Sequence, residues 1–437
     1  MFLFLFSLPV FNEMRVSVYG AKKSEWAALA AWVCKFDLFS THNRWMIQVP
    51  RIYRIFRRLN SVQSFADQLE NIFAPMFEAT LHPEAHPEVA RFLEHVSGFD
   101  SVDDESTHEA PLDWRSAQGD GDAATDAAGG GRAAGGAPRP AVPRATDWTS
   151  EANPPYAWQL YHLYANLRVL NALRRSKGLN TFQLRPHCGE SGDRLHLASA
   201  YLLATGINHG IQLNNSIALQ YLYMVDEVGV AVSPVSNNFL FMYLERNPFY
   251  KLFSRGLNVS LSTDDPLLFH LSDDALLEEY SIARAIWHLS ITDLCEIAYN
   301  SVRQSGFDRT FKAKWIGTTP FSARETNIPR ARAHFRTETL NEERAFVGEM
   351  SAGTRQERLS IMPDSPVSKG LDAIRKIAAL QKQVSALQSE LTDVRGGEGG
   401  ESAVAKRLAS GLGGGGGDDA SEEKRAAGPD ASLAKGD

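Results

Sequence analysis

Val259-Ser260-Leu261-Ser262-Thr263-Asp264-Asp265-Pro266 is the stretch on which the reading of this 437-residue chain turns. An apolar start, two adjacent carboxylates and a proline describe a short buried strand that stops at its C-terminal mouth, since proline cannot continue a ladder. Two neighbouring like charges are costly to bury. Consecutive strand residues face opposite sides, so one carboxylate can meet a cation while the other faces a ligand. Taken alone, Asp-Asp-Pro is an ordinary turn that caps the next helix.

Working outward, the same design recurs. Arg15 to Gly20, Trp45 to Pro50, Val96 to Val102, Phe182 to His187, Gly206 to His209, Val228 to Ser233 and Leu257 to Ser262 are short apolar runs that end in polar residues. Segments of helical spacing separate them: Glu25 to Phe36, Tyr53 to Phe77, and Leu160 to Leu173 with a C-cap glycine at Gly178. Repeated strand–helix units predict a parallel α/β sheet. A helix from Asp273 to His288, capped by Ser272, and another from Leu294 to Val302 follow the last strand.

Between residues 108 and 146 the composition falls to Gly, Ala, Asp, Pro and Arg, predicting a disordered insertion that interrupts one domain, residues 12–350. Residues 1–11 form an apolar leader, too short to span a bilayer and without a basic flank or cleavage site. Residues 366–395 alternate apolar positions by three and four, predicting an amphipathic helix or short coiled coil. Residues 396–437 predict a disordered tail. With 43% hydrophobic residues a large core is affordable, and a net charge of −7 argues against non-specific nucleic-acid binding. Three cysteines, Cys34, Cys188 and Cys295, cannot pair completely, which points to the reducing cytoplasm.

The chemistry-bearing residues follow apolar runs: His187 and Glu190 after one, His209 after the next, Asp264 and Asp265 after the last. A lone histidine there is ordinary hydrogen-bonded packing, and a lone glutamate an ordinary helix start. Together they bring five ionisable groups to the C-terminal rim of a parallel barrel, where catalytic groups lie. Imidazole and carboxylate suit zinc, which activates water near neutral pH. A protonated Glu190 could then donate a proton and His209 accept one.

The strings RPHCGESGD (185–193), INHG (207–210), SPVSNN (233–238) and SLSTDDPLLFH (260–270) resemble those of AMP deaminases, of the adenosine/AMP deaminase family of metal-dependent amidohydrolases. The resemblance extends through RVSVYG, RWMIQVPRIY, GFDSVDDES, DWTSEANPPYAW and EEYSIARAIWHLSITDLCEIAYNSV, and so covers about residues 14–347 apart from the insertion. It implies a TIM-like (β/α) barrel and hydrolysis of AMP to IMP and ammonia. His187 and Asp264 are implied as Zn2+ ligands, Glu190 as the proton donor at purine N1, and His209 as the proton acceptor. Asp265, Pro266, Leu267 and Leu268 are implied against the substrate, although the family usually has glutamine where Leu268 stands.

Family members also carry a His-x-His pair of zinc ligands on the first barrel strand. None of the twelve histidines here has another two positions away, so the seven strands are expected to be strands two to eight of such a barrel, with the first lacking. Two alternatives stand beside the deaminase: a catalytically dead fragment that acts as an interaction protein, and an adenosine deaminase-like enzyme. The expected partner is AMP, without nucleic acid or membrane; a homo-oligomer is compatible. Arg51 and Arg185, near strand ends, are read as salt-bridge residues in preference to phosphate ligands.

Overall fold

A computed structural model describes residues 10–102, 104–107, 109, 144–240, 242–317 and 328–361. The expected insertion lies outside these residues except at its edges, and the 366–395 helix, the 396–437 tail and residues 1–9 lie outside them entirely.

Eight strands, separated by helices except between the fourth and fifth, are described: β1 (Asn12–Ser17), β2 (Asn43–Pro50), β3 (Val96–Val102), β4 (Gln183–Leu184), β5 (His187–Cys188), β6 (Gly206–His209), β7 (Gly229–Val232) and β8 (Val259–Leu261). All pairings are parallel, in the orders β1-β2-β3-β4 and β5-β6-β7-β8. The run expected as a single strand over 182–187 is therefore two, split at Arg185-Pro186, because proline has no N–H for the ladder. The backbone still links the two sheets there: Arg185 N–H donates to Phe99 O at 2.8 Å, while Pro186 O accepts from Asn208 N–H at 2.9 Å. Among the described residues β1 pairs with β2 alone and β8 with β7 alone.

One core runs across both sheets, with Trp26, Ile47, Phe73, Phe99, Leu163, Val230, Val259 and Ile297 buried in it. Strands buried on both faces need continuous apolar runs, which is why the sequence pattern exposed them. These residues belong to a compact unit that ends at Val347; of the unit beginning at Gly348, the described part is helical backbone to Ile361.

Three helices depart from the expected bounds. The stretch expected as one helix over 53–77 is two, Tyr53–Arg58 and Phe65–Leu81. Ser64 restarts the chain with a capping box, its hydroxyl accepting from Asp67 N–H while the Asp67 carboxylate accepts from Ser64 N–H, and this local satisfaction overrides continuous apolar spacing. The helix expected from Asp273 runs Ala275–Trp287 with Asp274 at its N-cap position, and Ser272 instead accepts from Asp274 N–H. Helix Tyr156–Ser176 ends as expected, with Gly178 at φ +71°. The last core helix, Ile291–Gln304, begins earlier than expected because Ser290 and Asp293 form another capping box.

Candidate active site

In a parallel sheet all strand C-termini lie along one edge, so residues distant in sequence converge there. His187 opens β5, His209 closes β6, Ser236 and Asn237 lie in helix Pro234–Leu240 after β7, and Asp264 follows β8. The donor atoms of His187, His209 and Asp264 all lie within 4.8 Å of one another. Two of these residues have left-handed backbones, His209 at φ +67° and Asp264 at φ +54°, a conformation that is strained for residues with a Cβ and recurs at functional sites. The turn at Asp264, and not the strand alternation expected from the sequence, separates its carboxylate from that of Asp265.

His187 is held by a residue the sequence analysis did not single out. Its Nδ1 lies 2.9 Å from Asp100 Oδ1, and its backbone N–H donates to the same oxygen at 2.8 Å. Asp100, fully buried in β3, also accepts from Arg15 Nε at 2.6 Å. Burial raises the Asp100 pKa, but His187 and Arg15 outweigh it and hold the carboxyl well below the usual range. An ionised Asp100 keeps the proton on His187 Nδ1 and turns the Nε2 lone pair toward the site, the arrangement that orients metal-ligating histidines. A lone acidic residue inside an apolar strand was the available signal.

His209 is arranged differently. Phe249 N–H donates to Asn247 Oδ1 at 3.0 Å, so Asn247 Nδ2 faces Asn237 Oδ1 at 3.1 Å and Asn237 Nδ2 faces His209 Nδ1 at 3.0 Å. This chain of donors makes Nδ1 an acceptor and puts the ring proton on Nε2, which lies 3.9 Å from Asp264 Oδ2. Burial, which penalises the charged form, pushes the His209 pKa down to about 3, so the ring is neutral. Ser236 Oγ fixes Asp264 by donating to Oδ2 at 2.5 Å.

Glu190 Oε1 lies 3.3 Å from His209 Nδ1 and accepts from Asn237 Nδ2 at 3.4 Å. Burial pushes its pKa up to about 7, so protonated and ionised forms coexist near neutrality. A neutral imidazole facing such a carboxyl can exchange a proton with it.

Asp265 and Pro266 to Leu268 share this rim, but on the exposed surface of a short helix, Pro266–Phe269. Leu267 is 80% and Leu268 70% exposed. Desolvation and then the Asp264 charge raise the Asp265 pKa. Arg185 is committed to Glu13, at 2.7 Å and 2.5 Å, and Arg51 to Glu109 at 2.6 Å, the salt-bridge roles expected of them.

Fold and site together define a parallel α/β protein with a His–His–Asp group beside a protonatable glutamate at the strand C-termini. The sequence profile of the AMP deaminase family matches residues 10–120 and 135–352, and the chain belongs to that family. It is 47% identical over 336 residues to the AMP deaminase of Dictyostelium discoideum, covering 76% of this chain and 39% of that protein. With AMP deaminase 3 of Rattus norvegicus the identity is 44% over 361 residues, covering 81% and 44%. With the AMP deaminase of Saccharomyces cerevisiae it is 44% over 342 residues, covering 77% and 39%. The chain thus spans about two-fifths of the length of these curated relatives.

Proposed function

We propose that this chain carries the catalytic face of an AMP deaminase, in which water displaces the 6-amino group of AMP to give IMP and ammonia, on a TIM-like barrel. One observation carries the reading: Glu190, with a pKa near 7, stands 3.3 Å from a neutral His209 beside the His187–Asp264 donor pair. The names of the family relatives supply the substrate.

His187 and Asp264 supply two of the three protein ligands that a catalytic zinc takes. His187 offers a free Nε2 because Asp100 holds its Nδ1, and Asp264 offers a carboxylate oxygen, so these two residues would hold the ion. Bound zinc supplies Lewis acidity that makes water nucleophilic near neutral pH. His209, a neutral imidazole beside Asp264, is the base that takes the proton released on attack, and Glu190 in its protonated form donates to purine N1. Asn237 keeps both groups in register. Asp265 and Pro266 to Leu268 form an exposed rim against which the nucleotide would lie.

Three free thiols, Cys34, Cys188 and Cys295, support a reducing cytoplasmic setting. Among the described residues no helix is long and apolar enough to cross a membrane.

Because the His-x-His pair of the family is lacking, purified chain supplied with zinc and AMP is expected to release ammonia and form IMP only at a low rate, with adenosine a poorer substitute still. Release no greater than that of a Glu190→Gln control overturns the reading in favour of a non-catalytic interaction protein.

A further inference from the structure

The acidic loop after β3 holds a carboxylate for which the proposed chemistry has no direct use. Glu105 Oε1 accepts from Gly189 N–H at 3.0 Å, and its Oε2 accepts from Glu190 N–H at 3.1 Å. Two consecutive amides that converge at a turn form a nest for an anion, and Glu105 fills this one from within the chain. Its side chain is only 2% exposed. The fit is close on the far side too, since a Cβ on Gly192, at φ +69°, would meet Glu105 O at 1.8 Å. His196, stacked on Tyr156 at 4.2 Å, places Nδ1 4.0 Å behind the Glu105 carboxylate.

We propose that Glu105 is the positioning residue for Glu190: its carboxylate clamps the 189–190 turn and so sets where the Glu190 side chain delivers its proton. The inference rests on the proton-donor reading of Glu190. Both hydrogen bonds run from consecutive backbone amides to the two oxygens of one carboxyl group, so that group fixes the turn at two points. A glutamine in its place keeps one acceptor and turns an NH2 group toward the other amide, which leaves one buried N–H without a partner. His187 is held separately by Asp100, so loosening this turn does not reach the metal donors.

The test is a double-mutant cycle of Glu105→Gln and Glu190→Gln, read by amide hydrogen exchange over residues 187–194, zinc stoichiometry and the single-turnover rate at saturating AMP. Glu105→Gln is expected to speed exchange of the Gly189 and Glu190 amides at least tenfold, leave zinc unchanged and slow turnover about 10- to 100-fold. In the Glu190→Gln background it should add less than about twofold. The same loss in both backgrounds, unchanged exchange, or loss of zinc together with activity overturns the proposal. If Glu105→Gln does not fold, Glu105→Asp, which keeps the charge and shortens the reach, takes its place in the cycle with the same criteria. Glu190→Gln as active as the parent removes the proton-donor reading itself, and this is distinguishable from an inactive Glu190→Gln beside a fully active Glu105→Gln.

Discussion

The side-chain nitrogen of Asn237 lies 3.0 Å from Nδ1 of His209, and this contact determines which edge of the imidazole carries its proton. With Nδ1 accepting, the Nε2 edge facing Asp264 is a donor. His209 thereby differs from His187, whose Nδ1 proton is drawn to Asp100 and whose Nε2 is free. Two histidines with ring centroids 5.1 Å apart are set to opposite tautomers by their second partners.

Asn237→Ala should therefore move two properties in opposite directions. Without the amide donor, His209 can carry its proton on Nδ1 and offer Nε2 beside Asp264. Affinity for cobalt, measured by absorbance titration, is expected to rise about three- to tenfold, while turnover falls at least about tenfold because Glu190 and His209 lose their register. A parallel fall of both would count against the tautomer assignment.

The same difference separates the ligands. His187→Ala and Asp264→Asn are each expected to abolish stoichiometric metal binding, measured by equilibrium dialysis, since each removes a free lone pair from the group. His209→Gln should keep affinity within about threefold and lose turnover by about 100-fold or more. Equal loss of metal in all three variants would make His209 a ligand instead.

Asp100→Asn replaces the buried anion that serves Arg15 and His187 at once. Metal affinity is expected to fall about 10- to 100-fold. Stability in urea should drop by roughly 3 kcal/mol, because the Arg15 guanidinium loses its countercharge in a largely buried setting. A variant with parental metal affinity would show that Asp100 serves packing alone.

His196 predicts the pH dependence of stability. Burial lowers its pKa, but Glu105 and Glu109 outweigh that and push it up to about 9. The separations, 4.0 Å to Glu105 and 3.4 Å to Glu109, join charges and are not well-formed hydrogen bonds. A folded-state pKa above the unfolded value of about 6.5 means that the stabilisation is complete below pH 6.5 and is lost as pH rises through 9. His196→Gln is expected to flatten this slope, removing about 2 kcal/mol of pH-dependent stability between pH 6 and 9. An unaltered slope in the denaturation series would reject it.

The strand–helix alternation was legible because parallel strands buried on both faces must be apolar and must stop at polar residues, and β2, β3, β6, β7 and β8 sit where those runs predicted. The breaks at Ser64 and at Pro186 were harder to see, since both depend on single residues whose hydrogen bonding overrides an otherwise continuous pattern.

The opening stretch shows where the division falls. By itself the sequence determined that Asp264 and Asp265 follow a buried strand, that His187, Glu190 and His209 follow two others, and that these strings together are those of AMP deaminases, because spacing and residue type are local properties of the chain. Only the tertiary structure decided that Asp264 turns away from Asp265 through a left-handed backbone and meets Ser236, and that Asp100, Asn237 and Glu105 hold the three residues around it. Those partners lie between 28 and 87 positions away along the chain, and a hydrogen bond is set by distance in space, which no local pattern encodes.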